Sequence, residues 1–203
     1  KVTGVQTCAL PIFSSRASGL KSQFGTMGKP FNAGAAASNG IEAAALARRG
    51  FTASDDAFSG PQSFLEAHHV EPDGESQVAN WDFENFVFGD VRHKLHACCH
   101  GTHAMIEAIL KIIKRRDLSL SEIKRVRVQT APSWMNVCDI KAPRTGLELK
   151  FSYGFLAAMT LKDINLADYS SYDDALCYDA DLAALAGRTE VIPNNQKIGR
   201  AHV

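Results

Sequence analysis

The sequence predicts a mixed fold of helices and a few strands, in the α/β (α+β) class. Three stretches carry that reading. Phe31 to Arg49 is dominated by alanine. Ile106, Ile109, Leu110 and Ile113 recur at i, i+3, i+4 and i+7, with Met105 and Ile112 widening the stripe; that is the period of an amphipathic helix. Val126, Val128 and Thr130 alternate with Arg125, Arg127 and Gln129, the period of a strand with one solvated face.

Taken in order, Phe13 to Gln23 is polar and serine-rich and reads as the end of a connection. Lys29-Pro30 opens the first helix, with Pro30 near the first turn, where its missing N–H is tolerated. Gly34 and Gly40 lie inside it. An alanine/glycine face allows close approach, so this helix is expected to pack among other helices. Gly50 is the stop signal. Ser59 or Gly60 restarts a short helix, PQSFLEAHH. Glu71 to Asn80 is a turn-rich loop, and WDFENFVFGD suits a short strand or a packed connection. A domain boundary is placed here, near Gly89.

The rest of the chain is organised around His93 to Arg116. Four histidines (His93, His96, His100, His103), Cys98, Cys99 and Lys94 fall within eleven residues. Thr102 is the expected N-cap of the helix that follows. Glu107 and Lys111 are expected to pair at i,i+4, and Lys114, Arg115 and Arg116 suit the negative end of the dipole. Free amides at the helix N-terminus make it a place to bind an anion. Beyond the strand, Pro132, Pro143 and Gly146 punctuate a loop. Leu149 to Lys162 reads as a buried helix with Phe151, Phe155 and Leu156 inward. Tyr172 to Gly187 gives two short helices, and Arg188 to Ile192 begins a strand.

A hydrophobic content of 45% across 203 residues is enough for a real core. Formal net charge is zero, so no basic excess points to nucleic acid and no polybasic tail to a membrane surface. No apolar run approaches the ~18 residues a spanning helix needs. Five cysteines form no disulfide-like framework, which points to a reducing, cytoplasmic setting. The first twelve residues, KVTGVQTCALPI, and the last seven, KIGRAHV, resemble translated sequencing-adapter DNA and are set aside from fold reasoning. On that reading Cys8 and His202 are not native, and the natural protein is cut at both ends.

His96, Cys98, Cys99, His100 and His103 are zinc-ligand types, and Cys99 and His103 share a helix face. No second ligand pair follows at a suitable distance, so no metal is expected. Cys98 reads as a small core residue. Cys99 with His103 has the makings of a nucleophile and base, but no oxyanion motif accompanies it. Lys29 alone reads as a solvated charge, His68 and His69 as surface histidines, and Tyr153 as a core aromatic with its hydroxyl satisfied.

Three segments change the functional reading. FGTMGKPFNAGAAASNGIEAAALARRGFT resembles a GTMTKPLHAG pattern followed by an alanine-rich helix. KLHACCHGTHAMIEAIL resembles KPYPCCHGTHAAIDAxL, and LELKFSYGFLAAMTLKDINLADYS is similar to KFSxPFxxAxAL. These are signatures of the MmgE/PrpD family, and together they cover most of Gly25 to Arg188 in order. The family includes 2-methylcitrate dehydratase, cis-aconitate decarboxylase and an iminodisuccinate epimerase.

The resemblance implies an all-helical domain followed by a smaller α/β lid domain, with the active site between them. Residues 13–88 are then the end of the helical domain and residues 89–196 an incomplete lid. It implies a metal-independent lyase with no cofactor, a homodimer when complete, whose substrate is a small polycarboxylate. Dehydration of a 2-methylcitrate-like substrate leads, with decarboxylation or epimerisation as alternatives. A zinc-binding hydrolase and a non-catalytic carboxylate-binding module remain the rivals from other classes.

Residue by residue, Lys29 matches the family's KP lysine and Lys94 the lysine that opens the lid segment. His103 matches the TH histidine. Cys99 falls where the decarboxylase branch has a catalytic histidine, and Tyr153 matches that branch's tyrosine. Asn32, His96 and Gly154 depart from the pattern, in place of histidine, proline and proline. Lys29, Lys94 and Asn32 are therefore the expected substrate-binding residues. Lys29, Lys94, Cys99, His100, His103 and Tyr153 are the expected catalytic set. The chain by itself is expected to be inactive, since other family catalytic residues lie outside it.

Overall fold

The computed structural model describes residue 9 and residues 11–57, 61–68, 93–116 and 119–194. The expected loop at Glu71 to Asn80, the WDFENFVFGD strand, the boundary near Gly89, Ser59, Gly60, His69, Cys8 and His202 lie outside them. The chain divides into two compact units: Lys1–Leu20 with Gly28–Arg92, and Lys21–Met27 with His93–Val203.

The described part of the first unit is helical. Helix α1 spans Gly28–Arg48, with Lys29 and Pro30 in its first turn. It stops before Gly50, whose φ of +83° is the left-handed conformation glycine favours at a helix end. Arg16 pairs with Glu42, and Asn39 Nδ2 donates to the Arg16 carbonyl at 3.0 Å. The expected packing of α1 among other helices is not met among the described residues. Ala43 is its one buried residue, and Phe31 and Ile41 are 73% and 74% exposed. Alanine favours the helix itself but gives it no broad apolar stripe to hold a neighbour. Helix α2 (Phe64–His68) is one turn, with the Phe64 and His68 rings stacked 4.4 Å apart. His68 ends that helix and is exposed, as expected of it.

The second unit is built around an apolar helix. Helix α3 spans His100–Arg115, strand β1 Val126–Thr130, α4 Pro132–Cys138, α5 Gly146–Leu149, α6 Tyr153–Leu161, α7 Ala180–Ala186 and β2 Thr189–Pro193. Seven of the nine residues of α6 are buried, the mark of a helix enclosed on all sides. It packs against α3, α7 and β2. Met105, Ile106 and Ile109 supply the buried face of α3, as their spacing predicts, while Ile112 faces outward. Each fully buried side chain of this kind, such as Ile106, Leu156 or Met159, contributes about 1.5–3 kcal/mol.

β1 and β2 pair in parallel, from Val126 opposite Thr189 to Thr130 opposite Pro193. Val128 and Thr130 are buried while Arg127 and Gln129 are exposed, so the predicted alternation holds. The segment Lys21–Met27 joins this unit through Phe24, stacked on Phe151 at 5.7 Å.

Three local expectations are corrected. Pro132 and Gly146 open helices rather than punctuating a loop. Pro132 sits in the first turn of α4, where its fixed φ suits a helix; Thr145 caps α5 by accepting from the Glu148 amide at 3.2 Å. The buried helix starts at Tyr153 rather than Leu149. Ser152 is its N-cap and also bridges Asp139, which separates α5 from α6. Thr102 is not the N-cap of α3. Cys99 takes that place in an extended conformation, and Thr102, fully buried, donates its hydroxyl back to the Cys99 carbonyl at 2.7 Å.

Candidate active site

The start of α3 collects most of the polar candidates. The loop before it is pinned on both sides of His96. The Ala97 amide donates to the Leu166 carbonyl at 2.8 Å and the Cys99 amide to the Lys150 carbonyl at 3.0 Å. Lys94, exposed, turns back so that Nζ donates to the Cys98 carbonyl at 3.1 Å. His100 and His103 stand on one stripe of the helix at i and i+3, with Glu107 one turn further. The His103 ring lies 5.2 Å from that of His100 and 5.2 Å from that of His96, edge-on to the latter.

Glu107 does not pair with Lys111 as its spacing suggests. It accepts from His96 Nε2 at 2.8 Å, because the pinned loop presents a less exposed and better-aligned donor than a long surface lysine. His96 Nδ1 and His103 Nε2 are buried without partners. Burial pushes the His103 imidazole below its ordinary value. The neighbouring charges of His96, His100 and Lys94 act in the same direction, and a hydrogen bond to the Cys98 backbone opposes them. His103 Nε2 makes no hydrogen bond, and the lowered imidazole favours the neutral form at neutral pH.

Cys99 is buried at the helix cap, and its side chain makes no capping bond to α3. The first-turn amides are therefore not covered by an N-cap side chain, so the positive end of the helix dipole has no capping acceptor from Cys99. Cys98 is a core residue, as read from the sequence: Sγ meets Thr102 Oγ1 at 3.2 Å, and burial raises its thiol. Among the described residues no group of three or more His, Cys, Asp or Glu is arranged to hold a metal ion.

Tyr153 lies under the same helix turn, 1% exposed. Its hydroxyl donates to the Gly101 carbonyl at 3.0 Å and meets Thr130 Oγ1 at 3.1 Å. Burial pushes the phenol up to about 12, so it stays protonated. Lys29 and Asn32 belong to the first unit, in the first two turns of α1, where the Asn32 side chain packs against Gly19.

A groove of about 1330 Å³ runs along a different stripe of α3 and the length of β1. Ile109, Ile112, Val128 and Trp134 line it, and it meets the polar cluster's turn only at Gly101 and Tyr153. Its lining is mainly apolar, in contrast to the imidazole cluster. Sequence reasoning missed two features here. One is the His96–Glu107 pair; the other is Trp134, whose ring so closely covers Gly101 that an added Cβ would sit 2.4 Å from it. Neither has a local spacing signal.

A helix-flanked parallel strand pair, with lysine and imidazoles gathered at a helix start, defines an α/β domain. The MmgE/PrpD C-terminal domain matches residues 96–198, and the chain belongs to the MmgE/PrpD family. It is similar to a cis-aconitate decarboxylase of Aspergillus terreus (strain NIH 2624 / FGSC A1156), 30% identical over 185 residues, which cover 83% of this chain and 38% of that protein. A second cis-aconitate decarboxylase of Aspergillus terreus is 29% identical with the same coverage. The chain thus spans about two fifths of the length of the curated relatives it matches. Among the described residues no helix is long and apolar enough to cross a membrane.

Proposed function

We propose that this chain is part of a lyase acting on a small polycarboxylate by acid–base chemistry, with His103 as the proton-transfer group. The uncapped start of α3, ringed by Lys94, His96, His100 and His103, is the observation that carries it. A polycarboxylate needs cations and N–H donors, and Lys94 is proposed as one such cation; Lys29 and Asn32 are proposed as substrate-binding residues of the complete protein. Neutral His103 takes a proton from the carbon beside a carboxylate, and fixed positive groups stabilise the charge that builds on its oxygens. In dehydration the C–H electron pair becomes the new C=C bond, and hydroxide leaves with a proton as water. In decarboxylation CO2 leaves, its C–C electrons stay on carbon, and an imidazolium returns a proton there. His100 is the proposed proton donor at the leaving oxygen, and Tyr153, whose hydroxyl donates to the Gly101 carbonyl, is proposed to support that turn from below.

Cys99, a buried thiol where the decarboxylase branch carries histidine, weighs toward dehydration of a 2-methylcitrate-like substrate. The likeness to two cis-aconitate decarboxylases weighs toward decarboxylation. The complete protein is proposed as a cytoplasmic homodimer, with an all-helical domain whose end is residues 13–88 and an α/β lid that includes residues 89–196. An assay of the complete gene product decides between the reactions. Loss of water from 2-methylcitrate supports the first, and CO2 release from cis-aconitate the second; no turnover of either at enzyme-like rates overturns the lyase reading. Because His103 sits below the ordinary histidine value of about 6.5, the base form persists through neutral pH. The rate is expected to fall only below about pH 6.5 as His103 gains its proton. His103→Gln is expected to abolish that limb and lower kcat by about 10²–10⁴.

A further inference from the structure

We propose that His96, gripped by Glu107, is the positioning residue of His103: the pair holds an imidazole edge-on to the His103 ring and fixes that ring's orientation and tautomer. The backbone on either side of His96 is tied down, by Ala97 to Leu166 and by Cys99 to Lys150. Its ring is nine-tenths buried and bonded to Glu107 at Nε2. What remains is the ring's other side, which meets His103 at 5.2 Å and 78°. Since a carboxylate accepts at Nε2, the proton of neutral His96 is fixed there, and in its charged form His96 sets a positive charge beside His103. A positive charge there opposes protonation of His103, whose Nε2 is without a partner.

The groups acting on His103 are His96 and Lys94 from the loop, His100 from α3, and the Cys98 backbone, with Glu107 of α3 bonded to His96. Glu107 lies one helical turn from His103 and on a direct path would favour its protonation. Bonded to His96 Nε2 at 2.8 Å, it acts on His103 instead through the ring it holds, with the opposite sign. The sign of the Glu107 effect therefore separates a relay from a bystander.

The inference rests on the proposed role of His103 only for its catalytic consequence; the geometry stands without it. The test is ¹⁵N-imidazole NMR titration of the 203-residue chain, unmutated and as His96→Gln and Glu107→Gln. The unmutated chain is expected to show neutral His103 with its proton on Nδ1. In His96→Gln the His103 midpoint rises by at least about half a pH unit, the size of a unit charge lost at the ring separation in a water-like dielectric, and the tautomer preference weakens. In Glu107→Gln the midpoint also rises. An unchanged His103 in folded His96→Gln, or a fall in Glu107→Gln, overturns the proposal. Should His96→Gln fail to fold, the direction in Glu107→Gln decides alone. Failure of the lyase reading would appear separately, as absent turnover by the complete gene product with these titrations intact.

Discussion

Tyr153 links the first turn of α3 to the strand pair through its hydroxyl. A tyrosine inside an apolar helix needs a partner for its hydroxyl, and two are in place, the Gly101 carbonyl and Thr130 Oγ1. It thereby ties the first turn of α3 to the end of β1. Tyr153→Phe keeps the ring and strands both partners, so stability is expected to fall by about 1–3 kcal/mol. Denaturant unfolding measures it, and a change within error would show that neither bond matters. His96 and Glu107 show the opposite case. Eleven residues separate them, which along a helix is three turns and about 16 Å, too far to touch, while the i,i+4 rule directs Glu107 to Lys111. Only the fold-back of the loop onto Leu166 and Lys150 brings the pair together, and those anchors lie more than fifty residues downstream.

Elements with a strong period were legible because burial follows period. The α3 stripe, the β1 alternation and the inward Phe151, Phe155 and Leu156 all lie where spacing puts them. Element starts were less legible, since a proline or glycine announces a boundary without saying on which side the helix lies. Gly146 is the sharpest instance. It opens α5, its amide donates to Asp174 Oδ1 at 2.6 Å, and a Cβ there would lie 1.9 Å from the Tyr172 carbonyl oxygen. The contact is to backbone, so no side chain can swing aside. Gly146→Ala is expected to cost about 1–3 kcal/mol or more, by pushing the Tyr172 segment away from α5. Thermal melts and loss of Asp174 contact in amide NMR would register it; a melt unchanged from the unmutated chain would refute so close an approach. Gly154→Ala is the milder control, since its Cβ would meet the Ala186 carbonyl only at 3.2 Å.

At the scale of the molecule, the alternation of β1 predicted a strand but not its partner. The pairing with β2 spans more than fifty residues and all of α4 to α7, so it is a property of the finished core. The α1 face illustrates the same limit from the other side: composition predicted a helix and a close neighbour, and only the helix is present among the described residues. The core itself offers a global readout. Cys98, Cys99, Cys138 and Cys177 all belong to one buried cluster in the second unit. Burial raises the Cys98 and Cys177 thiols, which cuts the thiolate that reacts with alkylating agents. If that cluster opens as one, the four cysteines are expected to label together, slowed at least about 10³-fold relative to the unfolded chain, given ordinary domain stability of about 5–15 kcal/mol. Maleimide labelling with peptide mapping by mass spectrometry follows each site. A fast phase at Cys99 alone would mean that the start of α3 opens independently of the core. The imidazole cluster would then sit on a separately mobile turn, and a fixed tautomer at His103 would have to come from His96 and Glu107 travelling with it.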